Sequence, residues 1–133
     1  MENDTNTWNT SNELDSVGKA KLDSLEENIK ELKSMITERN TLSKNFIKEG
    51  EGMKSNIKTF LIENAPEGEG DSEFARERSE LRKKQIEISE LQLNEKVNCW
   101  KDIALLKKEM RESEKELNEK ESRAKMLGKI LNE

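Results

Sequence analysis

The sequence predicts an all-α fold: two long coiled-coil helices joined by a Pro/Gly turn, forming a helical hairpin packed in a multi-chain coiled coil or bundle. Three observations carry this expectation. Apolar residues recur at alternating steps of three and four. The chain is too charged to fill a compact core. Its one proline stands beside a glycine-rich acidic stretch near the midpoint.

Of the 133 residues, 40% are charged and 31% hydrophobic, where an average globular domain has about 25% and about 45–50%. So little apolar material suits the narrow seam of long helices, which needs only about two to three apolar residues in seven. The 24 basic and 29 acidic residues are mixed, and the apolar ones are periodic. Both features oppose the disorder that high charge alone would suggest.

Residues 1–10 are rich in Asn and Thr, which favour turns and caps, and read as a disordered polar tail carrying Trp8. Thr10–Ser11–Asn12–Glu13 has capping-box spacing, so the first helix is expected over 11–64. Its seam runs Leu22, Leu25, Ile29, Leu32, Ile36, Arg39, Ser43, Phe46, Gly50, Met53, Ile57 and Phe60 without a frame shift. Such a 3.5-residue repeat keeps one face toward a partner. Arg39, Ser43 and Gly50 interrupt it and mark a weak middle segment.

The motif Glu-Gly-Glu-Gly occurs twice, at 49–52 and 67–70. The first copy lies inside an unbroken apolar register. Its two glycines cost about 1 kcal/mol each relative to alanine, which a long seam absorbs, so the helix continues. The second follows Ala65–Pro66, where proline removes a backbone donor and disfavours helical geometry before it. Residues 65–71 are therefore the turn, with Asp71 or Ser72 as the next cap.

The second helix is expected over 72–131. Its distal seam reads Ile103, Leu106, Met110, Ser113, Leu117, Lys120, Ala124, Leu127 and Leu131. Its proximal part is apolar on a wide face. Leu81, Ile88 and Leu91 define one stripe, Ile86, Leu93, Val97 and Trp100 another, and the phase slips by about one residue to reach Ile103. A wide apolar face packs against more than one neighbour, so residues 86–106 are expected at the thickest part of an assembly, with Trp100 as a buried anchor. The expected partner interface comprises the nine apolar residues of the first seam, from Leu22 to Phe60, with Ile88, Leu91, Val97, Trp100, Ile103, Leu106, Met110, Leu117 and Leu127.

Near-equal arms favour a hairpin. A turn centred at 67–68 would set Phe60 beside Phe74 and Leu22 beside Ser113. The wide face would then meet the weak segment around Arg39, Ser43 and Gly50, a poor match that points to partners from other chains.

Other chemistries fare badly. A net charge of −5 opposes general nucleic-acid or anionic-membrane binding, and no segment has the roughly 20 apolar residues of a membrane span. The basic cluster Arg76, Arg78, Arg82, Lys83 and Lys84 is interleaved with Glu73, Glu77, Glu80 and Glu87, the pattern of a solvated face. There is no histidine, and no cleft or Cys–His arrangement supports catalysis. The acids at 67–73 lack calcium-loop spacing. No catalytic, cofactor or metal residues and no small-molecule substrate are expected. The lone Cys99 and the acidic, polar start suggest a cytoplasmic or nuclear protein.

Phe60–Leu61–Ile62–Glu63–Asn64 and, after a charged stretch, Glu87–Ile88–Ser89–Glu90–Leu91 resemble phrases of a family of coiled-coil proteins of ciliary and flagellar axonemes, associated with inner dynein arms. The resemblance spans residues 46–91, about a third of the chain. Pro66 and the second Glu-Gly-Glu-Gly fall where that family keeps an uninterrupted helix. It implies a non-enzymatic structural subunit of a larger, cytoskeletal complex. General considerations alone suggest two alternatives: a kinetochore or spindle coiled-coil subunit, or an adaptor presenting residues 86–106. In each case the partners are other coiled-coil proteins or a second copy.

Overall fold

In a computed structural model the chain is a helical hairpin of α1 (Glu2–Glu63) and α2 (Ser72–Asn132). Side chains are described over 18–64 and 74–131. The side chains of the tail expected over 1–10, Trp8 among them, and the turn expected over 65–71 lie outside the described residues. As the sequence predicts, α1 runs without interruption through Gly50 and Gly52. It closes at Asn64, whose backbone N and Nδ2 both donate to the Phe60 carbonyl at 3.0 Å. The side chain thus adds a second donor to a carbonyl already bonded to the backbone, using its other lone pair.

The contacts divide the hairpin into two units, Met1–Ile36 with Ala104–Glu133, and Thr37–Ile103. In the first, Leu22, Leu25, Ile29, Leu32 and Ile36 face inward from α1. Leu106, Met110, Ser113, Leu117 and Lys120 do so from α2. Ile29 and Leu32 are buried, as steps of three and four require of one helix stripe. Asn28 Nδ2 donates to Ser113 Oγ at 3.1 Å. Ser113 therefore sits against Asn28, not Leu22, and the pairing is displaced along α1 from the one a turn centred at 67–68 would impose.

The second unit has a different interior. Its α1 seam is Arg39, Ser43, Ile47, Gly50, Lys54, Ile57 and Leu61, and its α2 seam includes Leu81, Gln85, Ile88, Gln92, Glu95, Cys99 and Ile103. The expected register of α1 is thus broken once. Steps of four run from Arg39 to Ser43 to Ile47, and Phe46, Met53 and Phe60 turn outward. A straight helix drifts by about 20° per heptad against a 3.5-residue repeat. An extra four-residue step resets the phase, and at Arg39 and Ser43 no large apolar residue resists it. The slip expected in α2 takes the same form, as Glu95, Cys99 and Ile103.

The weak segment and the wide face meet as a specific polar match, which corrects the expectation of a poor one. Gln92 is buried against Gly50. Its Nε2 donates to the Ile47 carbonyl at 2.9 Å and to Glu51 Oε1 at 3.2 Å. Gln85 Nε2 donates to the Lys54 carbonyl at 3.4 Å. The buried Cys99 thiol, a weak donor, points at the Arg39 carbonyl at 4.0 Å. Gln85, Gln92 and Cys99 are spaced by seven, so one stripe of α2 reads successive α1 carbonyls. Each such carbonyl has a second lone pair beyond its helical bond. Arg39 pairs with Glu95 and, at 2.9 Å, with Asp102. Those two carboxylates hold the Arg39 guanidinium even more firmly protonated than usual.

At Gly50 an added Cβ would lie 2.5 Å from Gln92 Nε2, whereas at Gly52 it would meet nothing within 4 Å. Gly52→Ala should therefore stabilise the hairpin by up to about 1 kcal/mol. Gly50→Ala should forfeit that gain by displacing Gln92 from Ile47 and Glu51, and Gln92→Ala should restore it. Thermal unfolding followed by helicity decides, and equal gains at both glycines would refute the contact. In the first unit, Leu32→Ala should cost about 2–4 kcal/mol in denaturant unfolding. The exposed Leu42→Ala should change stability by less than about 0.5 kcal/mol.

Candidate partner-binding surface

Once the seam is paired, apolar side chains remain outside it. On α1, Phe46, Met53 and Phe60 repeat every seven residues, and Leu42 continues the line. Each precedes a seam residue by one position: Ser43, Ile47, Lys54 or Leu61. The helix is therefore apolar across neighbouring positions at Phe46–Ile47 and Phe60–Leu61. One member of each pair faces α2 and the other faces solvent. On α2, Ile86, Leu93 and Trp100 also repeat every seven residues, each one position after Gln85, Gln92 or Cys99. Trp100 is 71% exposed.

The structure sorts the expected interface residues into two groups. Leu22, Leu25, Ile29, Leu32, Ile36, Ile57, Ile88, Ile103, Leu106, Met110 and Leu117 lie in the seam between the chain's own two helices. Phe46, Met53, Phe60, Leu91, Val97, Trp100 and Leu127 are exposed. Sequence reasoning missed Ile47, Lys54 and Leu61 as seam residues, and Gln85 and Gln92 as their partners. The signal for the first group was present in the adjacent apolar residues Phe46–Ile47 and Phe60–Leu61, which mark a helix with two faces to cover. For the second it was the spacing of seven that joins Gln85 and Gln92 to Cys99.

The polar contacts around this surface anchor it. Lys54 Nζ pairs with Glu51 at 2.9 Å and donates to Ser89 Oγ at 3.3 Å. The Lys54 ammonium, with a further hydrogen bond from Gln92, holds the Glu51 carboxyl below its usual range. Arg78 lies over the Phe74 ring, 5.8 Å from its centroid, a cation–π geometry. Shallow grooves follow these side chains; Gln85, Ile86, Ser89 and Leu93 line one and Lys58, Leu61, Ile62 and Arg82 another. Among the described residues no group of three or more His, Cys, Asp or Glu could hold a metal ion. Nor is any helix there long and apolar enough to cross a membrane.

The arrangement leaves hydrophobic area with charged edges exposed. In a Trp8→Phe background, Trp100 fluorescence should be readily quenched by acrylamide in dilute solution and protected on association. A Trp100 shielded at every concentration would contradict its placement outside the seam. Comparison with protein-family models, curated proteins and solved structures finds no match to this chain.

Proposed function

We propose that the chain is a non-enzymatic structural subunit, whose paired helices dock on other coiled-coil chains or on a second copy to build a larger complex. The observation that carries this reading is the pair of seven-residue ladders, Phe46–Met53–Phe60 and Ile86–Leu93–Trp100, left outside the intramolecular seam. Isolated exposed apolar residues are ordinary, but aligned ones with charged borders mark interaction surfaces. Full burial of a side chain of this size stabilises a complex by about 1.5–3 kcal/mol, so a few such contacts suffice.

The sequence resemblance to axonemal coiled-coil proteins favours a cytoskeletal complex in the cytoplasm. A kinetochore or spindle subunit has the same requirements. An adaptor that presents residues 86–106 as a helix for a partner's groove is the second reading, favoured by the exposure of Trp100.

Light scattering across concentration, alongside helicity, tests the assembly reading. A helical species heavier than one chain is expected. A fully helical monomer at every concentration would overturn docking on a second copy and restrict the reading to other chains.

A further inference from the structure

Within Thr37–Ile103 the residues flanking the seam fall on two opposite sides of the helix pair. One side is identified by the groove that Lys58 and Ile62 of α1 share with Arg82 of α2. The heptad spacing continues that side through Lys44 and Lys48 on α1 and Lys96 on α2, all exposed. Its apolar members are Ile62, Ile86, Leu93 and Trp100. The acids on this side are Glu51, engaged by Lys54 and Gln92, and the exposed Glu90, which lines a groove with Arg82, Ile86 and Leu93; the basic residues outnumber them. The other side carries Leu42, Phe46, Met53, Phe60 and Leu91. It is edged by the exposed acids Glu38, Glu49, Glu63, Glu77, Glu80 and Glu87, with Lys84 and Lys101 as its basic exceptions.

Resting on the assembly reading above, we propose that the partner is a second copy of this chain, the acidic side of one hairpin packing on the basic side of the next. The charges are complementary between unlike sides and repulsive between like sides, which selects a head-to-tail contact over a two-fold one. The apolar ladders also match. Phe46, Met53 and Phe60 rise by about 10.5 Å per step, as do Ile86, Leu93 and Trp100, because both advance seven residues along an α-helix. Rings of one side therefore meet the other side's ladder in phase over three steps. In such a contact one copy keeps its basic side free and the other its acidic side, so assembly continues past the dimer until a ring closes or a fibre grows.

Two charge-reversed full-length chains test this. Lys48→Glu, Lys58→Glu, Arg82→Glu makes both sides acidic, and Glu49→Lys, Glu63→Lys, Glu87→Lys makes both basic. Each alone should associate at least about tenfold more weakly than the wild type by light scattering, with helicity retained. An equimolar mixture of the two should associate again. Wild-type assembly should dissociate in about 1 M salt, where the screening length falls to about 3 Å. Wild-type association that survives both reversals, or a mixture that stays apart, would overturn the pairing of unlike sides and leave the broader assembly reading standing. A basic side that takes polyglutamate or duplex DNA in place of a second copy would overturn it too. A helical wild-type monomer at every concentration would overturn the second-copy proposal and leave docking on other chains.

Discussion

Gln92 against Gly50 is the contact around which the Thr37–Ile103 unit is arranged. A glutamine amide is buried here without a large apolar neighbour across from it, which is costly unless its donors are used. Both are used, one on the Ile47 carbonyl and one on Glu51. The approach needed for the first bond requires that position 50 have no side chain. Once Gln92 is seated there, Gln85 and Cys99, one heptad away on either side, reach the Lys54 and Arg39 carbonyls. Arg39 then lies between Glu95 and Asp102. A polar layer of this kind adds little net stability but penalises every other register, because a slipped helix would bury the same groups unpaired.

That layer also explains what faces outward. The extra four-residue step at Arg39, Ser43 and Ile47 gives the interior Ile47 and Leu61 and rotates Phe46, Met53 and Phe60 away. Those three would otherwise have supplied the seam with its largest side chains. The unit thus exchanges apolar burial within the chain for a defined polar register and an apolar exterior. The apolar layer at Ile29 and Leu32 belongs to the other unit, so burial and specificity are supplied by different lengths of the same two helices.

Charge follows the same periodicity as the apolar residues. Within Thr37–Ile103 basic residues predominate on one side of the seam and glutamates on the other, although their numbers nearly cancel over the whole chain. Net charge therefore understates how polar the pair is from side to side. Sequence reading judged nucleic acid and membrane against the whole-chain value of −5. The relevant quantity for a partner is the field of one side.

The sequence by itself determined the helical class, the continuity of α1 through the first Glu-Gly-Glu-Gly and the helix ends flanking the second. These are local matters: apolar periodicity, the modest cost of two glycines in a long helix, and the backbone donor that Pro66 lacks. It also showed two apolar stripes on α2. It did not show that Phe46 yields to Ile47, because either choice keeps a three–four spacing and an apolar residue inside. Only the tertiary structure decided that choice. It placed a glutamine across from a glycine, where a side-chain amide can reach a helix carbonyl, and the register of both helices follows from satisfying that buried donor.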